Sequence, residues 1–287
     1  MIRILVVAIW WAGIAVIFGA GLLLVRRCPP TPGTVQRGTS GPVPGRGSGQ
    51  QIRLVARFLL LVIAGSALVY GIMAVVGLLA VHGGPVLDKP FFHWLTTHRI
   101  HSWKSVMTRA TKIGDTWTVR GAAVAAAVCL AVTWRRLRWL PPVALAMLTV
   151  VHRGLIKAIH LTDPRVGPPG HLHGTFPSGG SERAIVFYGL IAYLLWREFS
   201  GRRQTAIWTG AVVAALGFSE GYSRLYLGMH WFTDVLSGWL CGAALLVVFI
   251  SAVQLIAGPV RPRDQREIAV PLQAGPPSAT LAAKNAP

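Results

Sequence analysis

Seven long apolar segments, separated by short polar stretches, restrict what this chain can fold into. Most of them approach the roughly 20 apolar residues that an α-helix needs to cross a bilayer. With 53% hydrophobic and only 13% charged residues, the composition also differs from that of soluble domains. We therefore predict an all-α fold, a polytopic bundle of membrane helices. The segments cover residues 4–25, 54–81, 117–134, 139–161, 184–199, 205–222 and 231–257.

The polar stretches divide the chain into four predicted regions. Residues 1–27 are expected to form an N-terminal transmembrane anchor; a signal peptide is the alternative, but no small-x-small cleavage site precedes the two arginines that end this region. Residues 28–53 are rich in Pro and Gly and predict a flexible cytoplasmic linker. The membrane domain is predicted over residues 54–257, followed by a disordered cytoplasmic tail over 258–287.

The formal net charge of +19 sets the predicted orientation. The arginines are scattered between the apolar segments, which disfavours nucleic acid as a partner and favours contact with membrane lipids. Lys/Arg bias predicts a multi-pass plasma-membrane protein with its N-terminus outside, together with the stretches 157–183 and 222–230. The loop 82–116 also falls outside, although it carries five basic residues. Predicted cytoplasmic clusters are Arg26, Arg27, Arg37, Arg46 and Arg53; Arg135, Arg136 and Arg138; Arg197, Arg202 and Arg203; Arg261, Arg263 and Arg266.

Two polar stretches carry residue patterns that suit phosphate chemistry. Ser178, Gly179 and Gly180 form a small-residue loop that opens a helix, where bare backbone N–H groups bind anions. In the second stretch, His230 and Asp234 are spaced i, i+4, so they meet on one face if the helix begins near residue 230. The carboxylate then fixes the tautomer of the imidazole. The alternative is a His and an Asp that merely pair at a helix start.

Basic residues near these stretches strengthen the phosphate interpretation. Lys157 and Arg165, with Arg224, supply cations that stabilise phosphoryl oxygens. Arg153, Lys157 and His160 follow one another at i, i+4 and i+7, so they form one stripe of the fourth apolar segment. We interpret this stripe as the floor of a polar site. Pairing with Glu220 or Asp115 is the alternative.

Taken together, these motifs resemble the type 2 phosphatidic acid phosphatases (the PAP2 family), in their integral-membrane branch. The family signature is Lys-x6-Arg-Pro, then Pro-Ser-Gly-His, then Ser-Arg-x5-His-x3-Asp. The third motif is complete here at Ser223, Arg224, His230 and Asp234. The resemblance covers roughly residues 54–257, and it implies a six-helix core to which this chain adds one N-terminal transmembrane helix.

The resemblance implies a role for each matching residue. His230 is the expected nucleophile, giving a phosphohistidine that water later hydrolyses, and Asp234 is expected to orient it. The family needs no metal or cofactor, and its substrates are usually lipid phosphates or diphosphates that are processed at the outer face. The residues expected to hold the phosphate are Lys157, Arg165, Ser178, Gly179, Gly180, Ser223 and Arg224.

The chain departs from the family pattern at two places. Pro164 and Arg165 stand where the order Arg-Pro is expected, which places the arginine one residue late. Gly180 stands where the family has a His that gives a proton to the leaving oxygen. His171, His173 or Glu182 are candidates to replace that acid, although loop polarity and helix capping also explain them.

Two further explanations of Gly180 remain open. A diphosphate has a weakly basic leaving group that needs no proton, so the missing acid favours a polyprenyl-diphosphate-type substrate. Alternatively, turnover is lost and the chain is a catalytically silent lipid-phosphate binder. A transporter is a weaker rival, because no inverted repeat supports it.

Overall fold

The structure of the protein is a computed structural model that describes residues 48–134, 137–163, 165–169 and 174–258. Several sequence predictions lie outside these residues. They are the anchor over 1–27, most of the linker, all but the first residue of the tail, and the candidate acids His171 and His173.

Eight α-helices and one short 3-10 turn follow one another along the described residues. The helices are α1 (Ser48–His82), α2 (Gly84–Thr97), α3 (Lys104–Ala110), α4 (Thr116–Thr133), α5 (Leu140–Thr162), α6 (Gly179–Phe199), α7 (Arg203–Tyr226) and α8 (Phe232–Ala257), with the 3-10 turn at His101–Trp103 between α2 and α3.

Six of these helices correspond to the last six predicted spans, which confirms the all-α bundle. α1, α4, α5 and α8 contain stretches that are long and apolar enough to cross a membrane. α6 and α7 have 21 and 24 residues but are less apolar, as their short apolar segments indicated. Several helices are longer than the predicted segments. α1 begins at Ser48, so the last residues of the predicted linker are helical, and α6 begins at Gly179, before the predicted residue 184.

Apolar side chains on the outside of the bundle agree with a membrane setting. Leu60, Leu79 and Val132 are 69%, 67% and 77% exposed, and they lie on α1 and α4. Large exposed apolar patches are rare on soluble monomers and mark surfaces that meet lipid or another protein. The bundle is therefore that of a multi-pass membrane protein.

The central contact of the bundle is a close approach of α6 and α8. Gly238 and Gly242 lie one helical turn apart on α8, a small-xxx-small pattern that lets helix backbones approach. A Cβ atom at Gly238 would lie 2.6 Å from the carbonyl oxygen of Ser178, and one at Gly242 would lie 2.7 Å from that of Glu182. This packing holds the start of α6 against the start of α8.

The segment 82–116, predicted as a loop, is helical and covers one end of the bundle. Its helices contribute Leu95 and Met107 to a small apolar cluster with Leu225, Tyr226 and Val235 from α7 and α8. The backbone N–H of Gly114 donates to Glu220 of α7 at 2.9 Å. The segment therefore packs at the same end as the stretches 157–183 and 222–230.

Candidate active site

His230 lies in the short connection between α7 and α8. After Tyr226, Gly228 takes a positive φ of 71° that ends the helix and turns the chain, a conformation that favours glycine. Trp231 is the N-cap of α8, which begins at Phe232. His230 thus precedes the helix instead of lying on its first turn, and its Nδ1 is 3.8 Å from the Asp234 carboxylate.

The His230 ring is held by a backbone carbonyl. Its Nδ1 lies 3.0 Å from the carbonyl oxygen of Thr175, whereas Asp234 Oδ2 is 3.8 Å away. Because a carbonyl oxygen only accepts, Nδ1 carries the proton and Nε2 keeps its lone pair. The ring therefore has the tautomer that a nucleophilic Nε2 requires. Thr175 was not identified from the sequence, since a backbone contact leaves no side-chain pattern.

Asp234 is fully buried and accepts hydrogen bonds from two neighbouring residues. Its Oδ2 accepts the backbone N–H of Trp231 at 3.1 Å, which places negative charge at the start of α8. Its Oδ1 accepts from Arg165 Nη1 at 2.6 Å. Asp234 therefore fixes the backbone of Trp231, the residue that follows His230. It acts on the His230 ring through the position of that backbone and through its own negative charge.

Arg165 is held by two buried carboxylates. Its Nη1 donates to Asp234 and, at 2.7 Å, to the hydroxyl of Thr233, while its Nη2 contacts Asp88. The guanidinium is thus engaged by Asp88 and Asp234. The contact of Arg165 with phosphate stays a prediction.

Asp88 on α2 is the site residue that sequence reasoning missed. It is 1% exposed, and it accepts the backbone N–H of Thr233 at 2.9 Å and the Thr233 hydroxyl at 2.8 Å. Asp88 thereby ties α2 to the first turn of α8. The available signal was one of two acidic residues in a mostly basic segment, which by itself points to no partner.

Ser178, Gly179 and Gly180 open α6, as the sequence predicted. Ser178 is the N-cap, and α6 begins at Gly179. The backbone N–H of Ser178 donates to the carbonyl of Asp234 at 2.9 Å, which joins this loop to the start of α8. Its hydroxyl accepts from Ser181 at 3.0 Å. The first N–H groups of a helix have no partners within the helix and bind anions.

Arg224 occupies the space beside Gly180. A Cβ atom at Gly180 would lie 2.4 Å from both Nε and Nη2 of Arg224. Arg224 Nε donates to Glu220 at 2.7 Å. Ser223 is fully buried and its hydroxyl donates to the backbone carbonyl of Glu220 at 2.7 Å. The Ser223 hydroxyl is therefore engaged within the last turn of α7, and its contact with phosphate stays a prediction.

A cavity of about 290 Å³ lies between α4, α5 and α6. The predicted stripe of Arg153, Lys157 and His160 lines it, together with Arg120 and Arg183. The three residues thus line the same cavity. The two carboxylates considered as their alternative partners make other contacts. Glu220 pairs with Arg224, and the Asp115 carboxylate accepts the backbone N–H of Trp117 at the start of α4.

Glu182, a candidate acid, is fully buried on the first turn of α6. Its Oε2 lies 2.5 Å from Nδ1 of His152 on α5, whose side chain is 6% exposed. The carboxyl group therefore faces the packed interior of the α5–α6 contact.

Asp163 follows α5 and lines a second cavity, of about 390 Å³, with Arg165 and Trp231. Burial raises the pKa of the Asp163 carboxyl group, and the positive charge of Arg165 partly opposes the shift. Its Oδ2 has no hydrogen-bond partner among the described residues, and it packs so close to Gly77 that no Cβ atom fits there.

Comparison with known proteins agrees with this arrangement. A family model described as the PAP2 superfamily matches residues 54–256. Over 79 residues the chain is 39% identical to phosphatidylglycerophosphatase B of Bacillus subtilis, covering 26% of this chain and 36% of that protein. Over 68 residues it is 32% identical to YbjG of Escherichia coli, which is named as an undecaprenyl-diphosphatase, covering 24% and 29%. The matches thus span about a third of each relative.

A solved structure shares the fold. The transmembrane PAP2 type phosphatidylglycerolphosphate phosphatase of Bacillus subtilis superposes with a TM-score of 0.54 at 23% identity. The match covers 70% of this chain and 94% of that one. At this identity the likeness concerns the arrangement of helices.

Proposed function

Because this chain belongs to the PAP2 superfamily, we propose that it is an integral-membrane hydrolase of phosphoric esters or anhydrides that acts on lipid phosphates or lipid diphosphates. The observation that carries the proposal is the hydrogen bond from His230 Nδ1 to the carbonyl of Thr175. In the neutral ring this contact selects the tautomer with its lone pair on Nε2, at the end of the bundle where Ser178 and Asp234 meet.

The proposed reaction has two steps. The lone pair of His230 Nε2 attacks phosphorus, the bond to the leaving oxygen breaks, and a phosphohistidine forms. Water then attacks phosphorus, the P–N bond breaks, and phosphate leaves. The Thr175 carbonyl supports both steps, since it stabilises the Nδ1–H when the ring gains positive character.

Cations and backbone N–H groups stabilise the charge on the phosphoryl oxygens. Lys157 and Arg183 line one cavity, and Arg183 Nη1 lies next to Gly179 at the start of α6. Arg224 lies beside Gly180. Positive groups on α5, α6 and α7 therefore surround the first turn of α6, where a phosphoryl group meets free N–H donors.

Phosphate release by the purified full-length protein tests the proposal. The substrates are a lipid phosphomonoester and a polyprenyl diphosphate in detergent, with the His230→Ala variant as the blank. We expect release above the blank from at least one substrate. Gly180 favours a second candidate, the catalytically silent binder. Binding of both lipids without release from either would establish that candidate and contradict the hydrolase.

The small side chain at position 180 is expected to be necessary for Arg224. A methyl group there displaces the guanidinium from its contact with Glu220, so we expect Gly180→Ala to lower kcat/KM about 10- to 100-fold, the effect of losing one charged hydrogen bond. Gly121→Ala on α4 is the control, since its Cβ atom has open space around it. Equal activity of the two variants would contradict the role of Arg224.

We also propose that the site faces outside the plasma membrane. Arg197, Arg202 and Arg203, where α6 ends and α7 begins, support this orientation together with the Lys/Arg bias of the sequence. In a variant lacking the native cysteines, Val166→Cys should react with an impermeant thiol reagent in intact cells, whereas Gln204→Cys should react only after lysis. The reverse pattern would invert the topology.

A further inference from the structure

A departing alkoxide oxygen needs a proton, and position 180 has no side chain to supply it. The guanidinium of Arg224 fills that space. An arginine keeps its proton, so it stabilises charge without acting as an acid. The proton donor for a basic leaving group must therefore come from another element.

The imidazole of His160 has no role in the reaction described so far. It lies near the end of α5, one turn after Lys157, and both residues line the cavity between α4, α5 and α6. Its ring packs beside the chain that leads into α6, since His160 Nδ1 is 3.8 Å from the place that a Cβ atom at Gly174 would take. Its Nε2 is buried and has no hydrogen-bond partner among the described residues.

The same backbone segment contacts both imidazole rings. The carbonyl of Thr175 accepts from His230, and the His160 ring packs beside the neighbouring Gly174. His160 thus lies next to the segment that positions the nucleophile, with its Nε2 unengaged.

Other titratable side chains near the site are oriented differently. The Glu182 carboxyl group and the His152 ring face each other inside the α5–α6 contact. The Oδ2 of Asp163 packs against Gly77 of α1. Among the described residues, His152 and His160 both line the Lys157 cavity and have a buried nitrogen without a hydrogen-bond partner. Because His152 Nδ1 lies 2.5 Å from the Glu182 carboxylate, His160 is the histidine whose free nitrogen has no charged neighbour at that distance.

We propose that His160 is the general acid and base of the reaction, an inference that rests on the hydrolase function proposed above. In the first step His230 Nε2 forms the bond to phosphorus, the P–O bond breaks, and the Nε2 proton of His160 moves to the leaving oxygen. In the second step water attacks phosphorus, its proton moves to His160 Nε2, and the P–N electron pair returns to His230. His160 ends each cycle protonated, as it began.

The test uses leaving groups of different basicity. His160→Gln keeps the size of the side chain but does not titrate. We expect it to lower turnover of dodecyl phosphate by about 10²–10⁴-fold, the usual contribution of a general acid, and turnover of 4-nitrophenyl phosphate by less than about 10-fold. His93→Gln, at an exposed position on α2, should change neither rate. In His160→Ala, added imidazole should restore part of the dodecyl phosphate turnover.

Three outcomes would overturn the inference while leaving the hydrolase intact. They are equal losses for both substrates, unchanged rates, or a selective loss in His173→Gln and none in His160→Gln. Failure of the hydrolase itself has another signature, because the native protein would then release no phosphate from either ester. If His160→Gln does not fold, His160→Ala with and without imidazole decides between a structural role and proton transfer.

Discussion

Replacing His230 by Ala is expected to lower phosphate release by at least about 10³-fold, to the level of the uncatalysed background. The substitution removes the Nε2 lone pair that attacks phosphorus. The fold should survive, since among the described residues the His230 side chain makes one hydrogen bond, to the carbonyl of Thr175, whose loss costs about 1 kcal/mol. The measurement is phosphate release at saturating lipid, alongside thermal unfolding in detergent.

The control for this variant is His93→Ala, an exposed histidine on α2. It should keep native activity. A His230→Ala protein that is folded and retains near-native turnover would contradict the phosphohistidine route. Trapping radiolabelled phosphate on the native protein after an acid-free quench, and its absence from the variant, would identify the intermediate directly, because the P–N bond is acid-labile.

Replacing Arg165 by Met is expected to cost about 3–5 kcal/mol in the free energy of unfolding. The variant leaves Asp88 and Asp234, which are 1% and 0% exposed, without their common cation. Uncompensated buried carboxylates are strongly destabilising, whereas an exposed ion pair contributes little. The measurement is denaturant unfolding in detergent. Arg109→Met, at an exposed position on α3, is the matched control and should change stability by less than about 0.5 kcal/mol.

A double variant distinguishes the loss of the ion pair from the loss of packing by the Arg165 side chain. Arg165→Met combined with Asp88→Asn should be more stable than Arg165→Met alone, because one of the stranded charges is gone. If Arg165 instead contacts substrate and has little structural role, the single variant will unfold like the native protein and raise KM. That result would support the phosphate-binding role that the sequence motif implied.

The membrane architecture was predictable from the sequence because it depends on local properties. The length and apolarity of the segments that became α1, α4, α5 and α8 suffice to predict a membrane helix, whatever it packs against. The start of α6 was also predictable, since Ser178 and Gly179 form a helix-opening loop by their own backbone preferences. The spacing of Arg153, Lys157 and His160 placed them on one face of α5, and a single helix fixes that geometry.

Only the tertiary structure decided which residues contact one another in the candidate site. Asp88 is 77 residues from Arg165 and 145 from Thr233 in the chain, and no local pattern relates residues so far apart. The hydrogen-bond partner of His230 Nδ1 is the carbonyl of Thr175, 55 residues away in the chain, and a backbone acceptor has no sequence signature. Gly238 and Gly242 brought α6 onto α8, and this close approach joined Ser178 to the residues around His230. The sequence alone determined which side chains were available and on which helices, whereas helix packing determined which of them meet.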